Sequence, residues 1–302
     1  MGVSTTWTGA IDSDWDTAGN WTNSVPATTG TAVIDGAVSI TGGTPTNEVV
    51  DRVYVANSYT GAIGSVGTPL KLDVEQLSID GTSSSQVFYI DLLGVTNTTP
   101  TVMVDGAKTG ASGYLSGDLN LVIIEPTFFG TLYLGNSASD PAEIKDLVMM
   151  TVSGAVDASV AANVAWVTGS TVDVLDGTLT LGENVGTNST LNVSGGTVNV
   201  SEWTATTGDT LFMTGGTVNW NAGSTGLTPS SVTSIRTIRL VGGTFTTAAN
   251  DKAYIGLNDI NQYGGTLNLQ SSFANIDING TYNAYAGSFT SSKQSVITVA
   301  AK

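Results

Sequence analysis

The chain has 302 residues, 40% of them hydrophobic and 11% charged, and its 25 acidic against 9 basic side chains give a formal net charge of −16. It contains neither cysteine nor histidine, which removes disulfides, thiolate chemistry, Ser-His-Asp and Cys-His catalysis and the commonest metal ligand. The negative field disfavours nucleic acid and anionic membranes as partners, while the apolar content is that of a chain with a packed core.

The start at Met1-Gly2-Val3 is followed by neither a basic nor an apolar leader region, so we expect synthesis and release in the cytoplasm. No run of about 18 apolar residues predicts a membrane span. The first distinctive stretch is IDSDWDTAGNW, Ile11 to Trp21. Asp12, Asp14 and Asp16 alternate there and Asn20 follows, a spacing that can gather oxygens on calcium. Counting from Asp12, however, the sixth position is Thr17 rather than glycine and the twelfth is Asn23 rather than glutamate. A tryptophan-anchored turn is the preferred reading and a calcium site the weaker one. No other cofactor is expected.

Between residues 44 and 112, the segments DRVYVAN, LKLDVEQLSID and QVFYIDLLGV read as strands separated by Gly, Pro and Ser/Thr punctuation. The apolar stripe of the second changes phase after Val74, which predicts a corner or bulge. DGAKTGASG, residues 105–113, is rich in small residues and reads as a boundary. EIKDLVMM, Glu143 to Met150, is the one short helix candidate, and a buried strand fits it equally well.

From there a repeat emerges. DVLDGTLTL, LNVSGGTVNV, LFMTGGTVNW, IRLVGGTFTT and INQYGGTLNL each run an alternating strand into a Gly-Thr corner and a second strand out of it. The marker glycines are Gly177, Gly196, Gly216, Gly243 and Gly265, with a weaker copy at Gly287, spaced by 19, 20, 27, 22 and 22 residues. Gly154 and Gly130 extend the series upstream. One such coil cannot bury its apolar side, but stacked coils can, so the spacing predicts a right-handed parallel β-helix with corner glycines. Val198, Val218, Phe245 and Leu267 should then stack in register, and Asn192, Asn199, Asn219 and Asn268 should form ladders.

Candidate chemistry is sparse. Asp173, Asp176 and Glu183 lie near one corner and are the nearest thing to a glycosidase carboxylate pair, but no sugar-binding partners group beside them, so no catalytic residue is assigned and the chain is read as a non-enzyme. Sequons such as Asn20-Trp21-Thr22 arise readily in a Thr-rich chain. Trp203, Trp220 and Tyr263 are candidates for carbohydrate or partner contact, with packing preferred.

Trp7, Gly9, Trp15, Asn20-Trp21, Pro26 and the strand Thr31 to Asp35 together resemble a segment at the start of β-helical surface proteins, among them autotransporter-like bacterial proteins and phage virion proteins. The resemblance implies that Trp7, Trp15, Trp21 and Pro26 cap the first coil. The resulting expectation is an all-β chain with a cap over residues 1–43, an irregular β region or early coils over 44–112, and β-helix repeats over 113–302. The expected function is that of a structural protein on the outer surface of a phage virion. The first choice is a capsid decoration (cement) protein that contacts the major capsid protein or other virion proteins as a homo-oligomer, a trimer. A fibre or tailspike component binding host glycans and a bacterial adhesin passenger fragment are the alternatives.

Overall fold

The computed structural model describes residues 2–46, 48–80, 87–105, 107–124, 129–135, 142–149, 157–160, 164–181, 189–200, 210–220, 237–247, 254–257, 259–270, 275–278, 281–291 and 296–299. The chain is all-β, with parallel sheets stacked as a β-solenoid. Apart from a 3-10 turn at Ala18–Asn20, all regular structure among the described residues is strand. Contacts divide the chain into two units, Met1–Val164 and Ala165–Lys302.

The first unit contains β1 (Ser4–Trp7), β2 (Thr31–Ile34), β3 (Val49–Val55), β4 (Leu70–Asp80), β5 (Val87–Leu92), β6 (Thr101–Asp105), β7 (Ala107–Ile124), β8 (Phe129–Leu134), β9 (Ala142–Met149) and β10 (Asp157–Val160). Parallel neighbours cannot be joined by tight hairpins, and each turn of the coil supplies the crossover they need. Trp7 pairs with Ile34, Ile34 with Val55, Val55 with Ile79, Ile79 with Val104, and Val104 with Ile124. All six are buried, one above the next.

The phase change in β4 is a corner. Leu70 and Leu72 face inward, Asp73 and Val74 are both buried, and Leu77 and Ile79 resume the inward row. The first half of the strand pairs with β5 and the second half with β6. In the same way β7 pairs with β5 up to Gly117 and with β6 from Leu121, and Gly117 takes φ +82° between the two halves.

Parallel pairing therefore begins at β1, well before residue 113, and the boundary expected at 112/113 falls inside β7. The small residues there have a packing reason: a Cβ on Gly113 would lie 2.0 Å from Cζ of Phe88, the inward residue paired with it. The helix candidate at Glu143 is strand β9, paired along its length with β7; Met150 lies outside the described residues.

The second unit contains β11 (Val164–Val174, beginning at the division), β12 (Thr178–Leu181), β13 (Thr190–Val193), β14 (Thr197–Val200), β15 (Thr210–Met213), β16 (Thr217–Trp220), β17 (Thr237–Leu240), β18 (Thr244–Thr247), β19 (Tyr254–Leu257), β20 (Asp259–Gln262), β21 (Thr266–Leu269), β22 (Asn275–Ile278), β23 (Tyr282–Ala284), β24 (Ser288–Ser291) and β25 (Val296–Val299). Leu179, Val198, Val218, Phe245, Leu267 and Phe289 form one continuous row. Val172, Leu191, Leu211, Ile238, Ile260 and Tyr282 form the next. A separate three-stranded sheet stacks β19, β22 and β25. Each fully buried aliphatic or Phe side chain in these rows contributes about 1.5–3 kcal/mol, and that contribution exists only when coils are stacked.

The corner glycines join the rows. Gly177, Gly196, Gly216, Gly243 and Gly265 have φ between +63° and +78°, a region costly for residues with a Cβ. Gly216 is constrained a second time, because a Cβ there would lie 2.5 Å from the carbonyl oxygen of Gly195. The residue after each marker donates its N–H to the marker carbonyl one coil earlier: Thr197 to Gly177, Thr217 to Gly196, Thr244 to Gly216, Thr266 to Gly243 and Ser288 to Gly265. The ladder thus continues unbroken through the bend. Gly130 is not part of it: it sits inside β8, paired with Ala111. Gly154 lies outside the described residues.

Candidate functional site

The tryptophan-rich opening is the most elaborate polar structure among the described residues. Trp7, Trp15 and Trp21 are 1%, 2% and 4% exposed, and Pro26 is buried beside this segment of chain. Trp21 is the middle ring, edge-on to Trp7 at 5.1 Å and to Trp15 at 4.7 Å. Edge-to-face contacts of this kind add about 0.5–1.5 kcal/mol to the area each ring buries. The indole of Trp7 donates to the Val38 carbonyl, and that of Trp21 to the Trp15 carbonyl. Trp7 is itself the first residue of the inward row, paired with Ile34.

The acidic run is wired into its own backbone. Asn20, fully buried, accepts the N–H groups of Ile11 and Asp12 on Oδ1 and donates through Nδ2 to Asp12 Oδ1 at 2.6 Å and to the Asp14 carbonyl. Asp12 Oδ1 also accepts the Asp14 N–H, and the Thr17 hydroxyl donates to Asp12 Oδ2. Asp14 Oδ1 accepts the Asp16 N–H, and Asp16 Oδ2 accepts both the N–H and the hydroxyl of Thr46. Successive Asx turns of this kind point the carboxylates at N–H groups rather than at a common centre. The Asp14 N–H, followed by the Asn20 amide, holds the Asp12 carboxyl below the usual carboxylate range. Among the described residues, no group of three or more acidic side chains is arranged to hold a metal ion.

A cavity of about 250 Å³ lies against this turn, lined by residues including Asp14, Trp15, Asp16, Gly42, Gly43 and Leu70. Trp15 Nε1 and Asp16 Oδ1 are both buried without a hydrogen-bond partner, each at a cost of about 1–3 kcal/mol. Both atoms are closed off from solvent, so a molecule in the cavity would reach neither without a shift of the turn.

The other candidates disperse. Asp173 accepts a hydrogen bond from Asn192 Nδ2 at 2.7 Å, Asp176 caps the N–H of Gly177, and Glu183 lies outside the described residues. Trp220 is 3% exposed and packs inward near Phe245; it is a core residue. Trp203 lies outside the described residues. Tyr263 is 43% exposed and stacks on Tyr285 at 4.8 Å, with the Arg239 guanidinium 5.3 Å from its ring and equally far from that of Phe212. Only part of the asparagine ladder forms. Asn219 donates to Asn199, but Thr246 stands between Asn219 and Asn268, and the latter takes the Thr290 hydroxyl instead.

Two features escaped the sequence reading. Asp73, 1% exposed, accepts the N–H groups of Thr96 and Asn97 and so anchors the turn that follows β5; its one sequence signal was the broken alternation at Val74. Tyr89, Tyr114 and Tyr133 stack face to face at 4.4 and 4.7 Å on successive coils, but share no flanking motif that would mark them as a repeat. Compared with known proteins, the chain matches no family profile, no curated sequence and no solved structure at a significant level.

Proposed function

We propose that this chain is a non-enzymatic structural protein of a phage virion, a decoration (cement) protein held on the outer capsid surface against the major capsid protein. One observation supports this reading above the others: the polar side chains are spent on the solenoid itself. Asp12, Asp14, Asp16 and Asn20 bond to the opening turn and to Thr46. Outward Asn and Thr side chains bond coil to coil, as in Asn199–Asn219, Asn261–Asn283 and Asn268–Thr290. A stack tied along its length in this way resists deformation without a moving part, which suits reinforcement of a shell.

A second reading, a fibre or spike holding host glycans, draws support from the exposed Tyr263–Tyr285 pair with Arg239 alongside. Purified protein should rebind, saturably and in fixed ratio to capsid subunits, to particles from which it has been removed, and should bring back their resistance to heat. Failure to bind such particles, together with retention on host polysaccharide that is lost in Tyr285→Ala, would replace the decoration reading with the glycan one.

A further inference from the structure

The outer face of the first unit carries a group of polar side chains that do not bond from coil to coil, unlike the Asn199–Asn219 and Asn268–Thr290 pairs of the second unit. Thr31, Arg52 and Gln76 stand in one rank across β2, β3 and β4, and Val33, Tyr54 and Ser78 stand in the next, with about 4.8 Å from strand to strand. Together they line a groove of about 310 Å³. Arg52 is exposed and, among the described residues, has neither an ion-pair nor a hydrogen-bond partner. The hydroxyls of Thr31 and Ser78 likewise make no hydrogen bond among the described residues. The Gln76 amide reaches only Met103 Sδ, at 3.7 Å, and a thioether is a weak acceptor. Tyr54 is 37% exposed, and its hydroxyl donates to Asp80 Oδ2 at 3.1 Å, which tethers the ring.

A guanidinium donates and never accepts. The chain has 25 acidic side chains against 9 basic ones, yet none of them pairs with Arg52. What this group lacks is an oxyanion, and its planar fork takes a carboxylate through two parallel bonds. The side chains around it both donate and accept, as the hydroxyls of a sugar do, while Val33 and the tethered Tyr54 ring supply an apolar wall. A peptide fits less well. β3 is paired on both sides, with β2 and with β4, so it offers no free edge for a peptide strand to extend.

We infer that this groove binds a hexuronate residue, free or within an acidic polysaccharide, with its carboxylate on Arg52, its hydroxyls on Gln76, Ser78 and Thr31, and its ring against Tyr54. The inference rests on the first unit alone and holds whether or not the chain decorates a capsid. The negative field of the chain repels an acidic ligand at long range. Salt screens that repulsion beyond about 8 Å at physiological ionic strength, which leaves recognition to the groups in the groove.

Titration of the full chain at physiological salt with glucuronate, galacturonate, mannuronate and guluronate, each as monomer and as trimer, tests the inference. At least one of them is expected to bind saturably at one site per chain. Arg52→Gln should weaken that binding at least about tenfold, and so should Gln76→Glu, which sets a carboxylate against that of the ligand, with the circular dichroism of both variants unchanged. The matching neutral hexose should bind the parent at least about tenfold more weakly, a comparison that decides the matter even where a variant disturbs the fold. Tighter binding of the trimer than of the monomer would identify a polysaccharide as the source, and equal affinity the free sugar. No saturable binding by any of the four acids, equal binding of the neutral hexose or of inorganic sulfate, or binding indifferent to both Arg52→Gln and Gln76→Glu would each overturn it.

Discussion

Asn20 and Asp12 hold the opening turn from both sides: Asn20 Oδ1 receives the Asp12 N–H at 3.1 Å while Asn20 Nδ2 donates to Asp12 Oδ1 at 2.6 Å. Because Asn20 also binds Ile11 and Asp14 from a fully buried position, truncation leaves several groups unpaired at once. Asn20→Ala should cost about 2–4 kcal/mol in denaturant unfolding. Asn20→Asp should cost a similar amount at neutral pH and less in acid, because it faces one carboxylate with another where an amide donor stood. Equal stability of Asn20→Asp and the parent at pH 7 would show that the amide donor contributes little.

The same turn gives the chain an acid-sensitive element. The Asp12 carboxyl is held below its usual value of 3.8, so it releases its proton more readily folded than unfolded. A folded-state pKa below the unfolded one contributes stability that is fully present above the unfolded value and is lost as pH falls through the folded value. Melting temperatures of the parent and Asp12→Asn should therefore differ at pH 6 and converge below pH 3.8. A gap independent of pH would assign the effect to hydrogen-bond geometry alone.

Calcium removal bears on the other reading of these carboxylates. Their oxygens face N–H groups of the opening turn and of Thr46, so chelator should leave the melting temperature unchanged. A rise on adding calcium that Asp14→Ala abolishes would mean that the turn rearranges around the ion.

At the corners, two glycines separate two causes of strain. Gly216 combines φ +64° with a carbonyl oxygen 2.5 Å from where its Cβ would sit, while Gly36 has φ +91° and open space around it. Gly36→Ala should cost about 1 kcal/mol from backbone conformation alone, and Gly216→Ala about 2–4 kcal/mol, with valine worse. If the two alanine variants lose equal stability, close approach between coils is not what fixes the corner.

In the core, Phe245 lies between Val218 and Leu267, fully buried. Phe245→Ala should cost about 3–5 kcal/mol and Phe245→Leu about 1.5 kcal/mol or less, measured by urea unfolding. Similar losses for the two would mean that the row collapses around the gap.

What was legible in the sequence was whatever repeats at short range. LNVSGGTVNV shows a period of two on both sides of a glycine corner, and both the row and the corner are present at Val198 and Gly196. Misreadings arose where one residue answers to a distant one. The small residues at 105–113 resembled a linker, yet Gly113 is small because Phe88 occupies the space its side chain would need. Asp73 carries no local mark of the turn it anchors, because its partners lie 23 and 24 residues away. Trp7, Trp15 and Trp21 could be grouped through the resemblance, whereas the contacts among their rings are seen only in the folded chain.

The coils also separate length from register. Nine residues lie between Val200 and Thr210 and sixteen between Trp220 and Thr237, yet β14 pairs with β16 in the same frame as β16 pairs with β18. Register is therefore carried by the rungs themselves: β14, β16 and β18 keep one frame whether nine or sixteen residues separate a strand from the next coil.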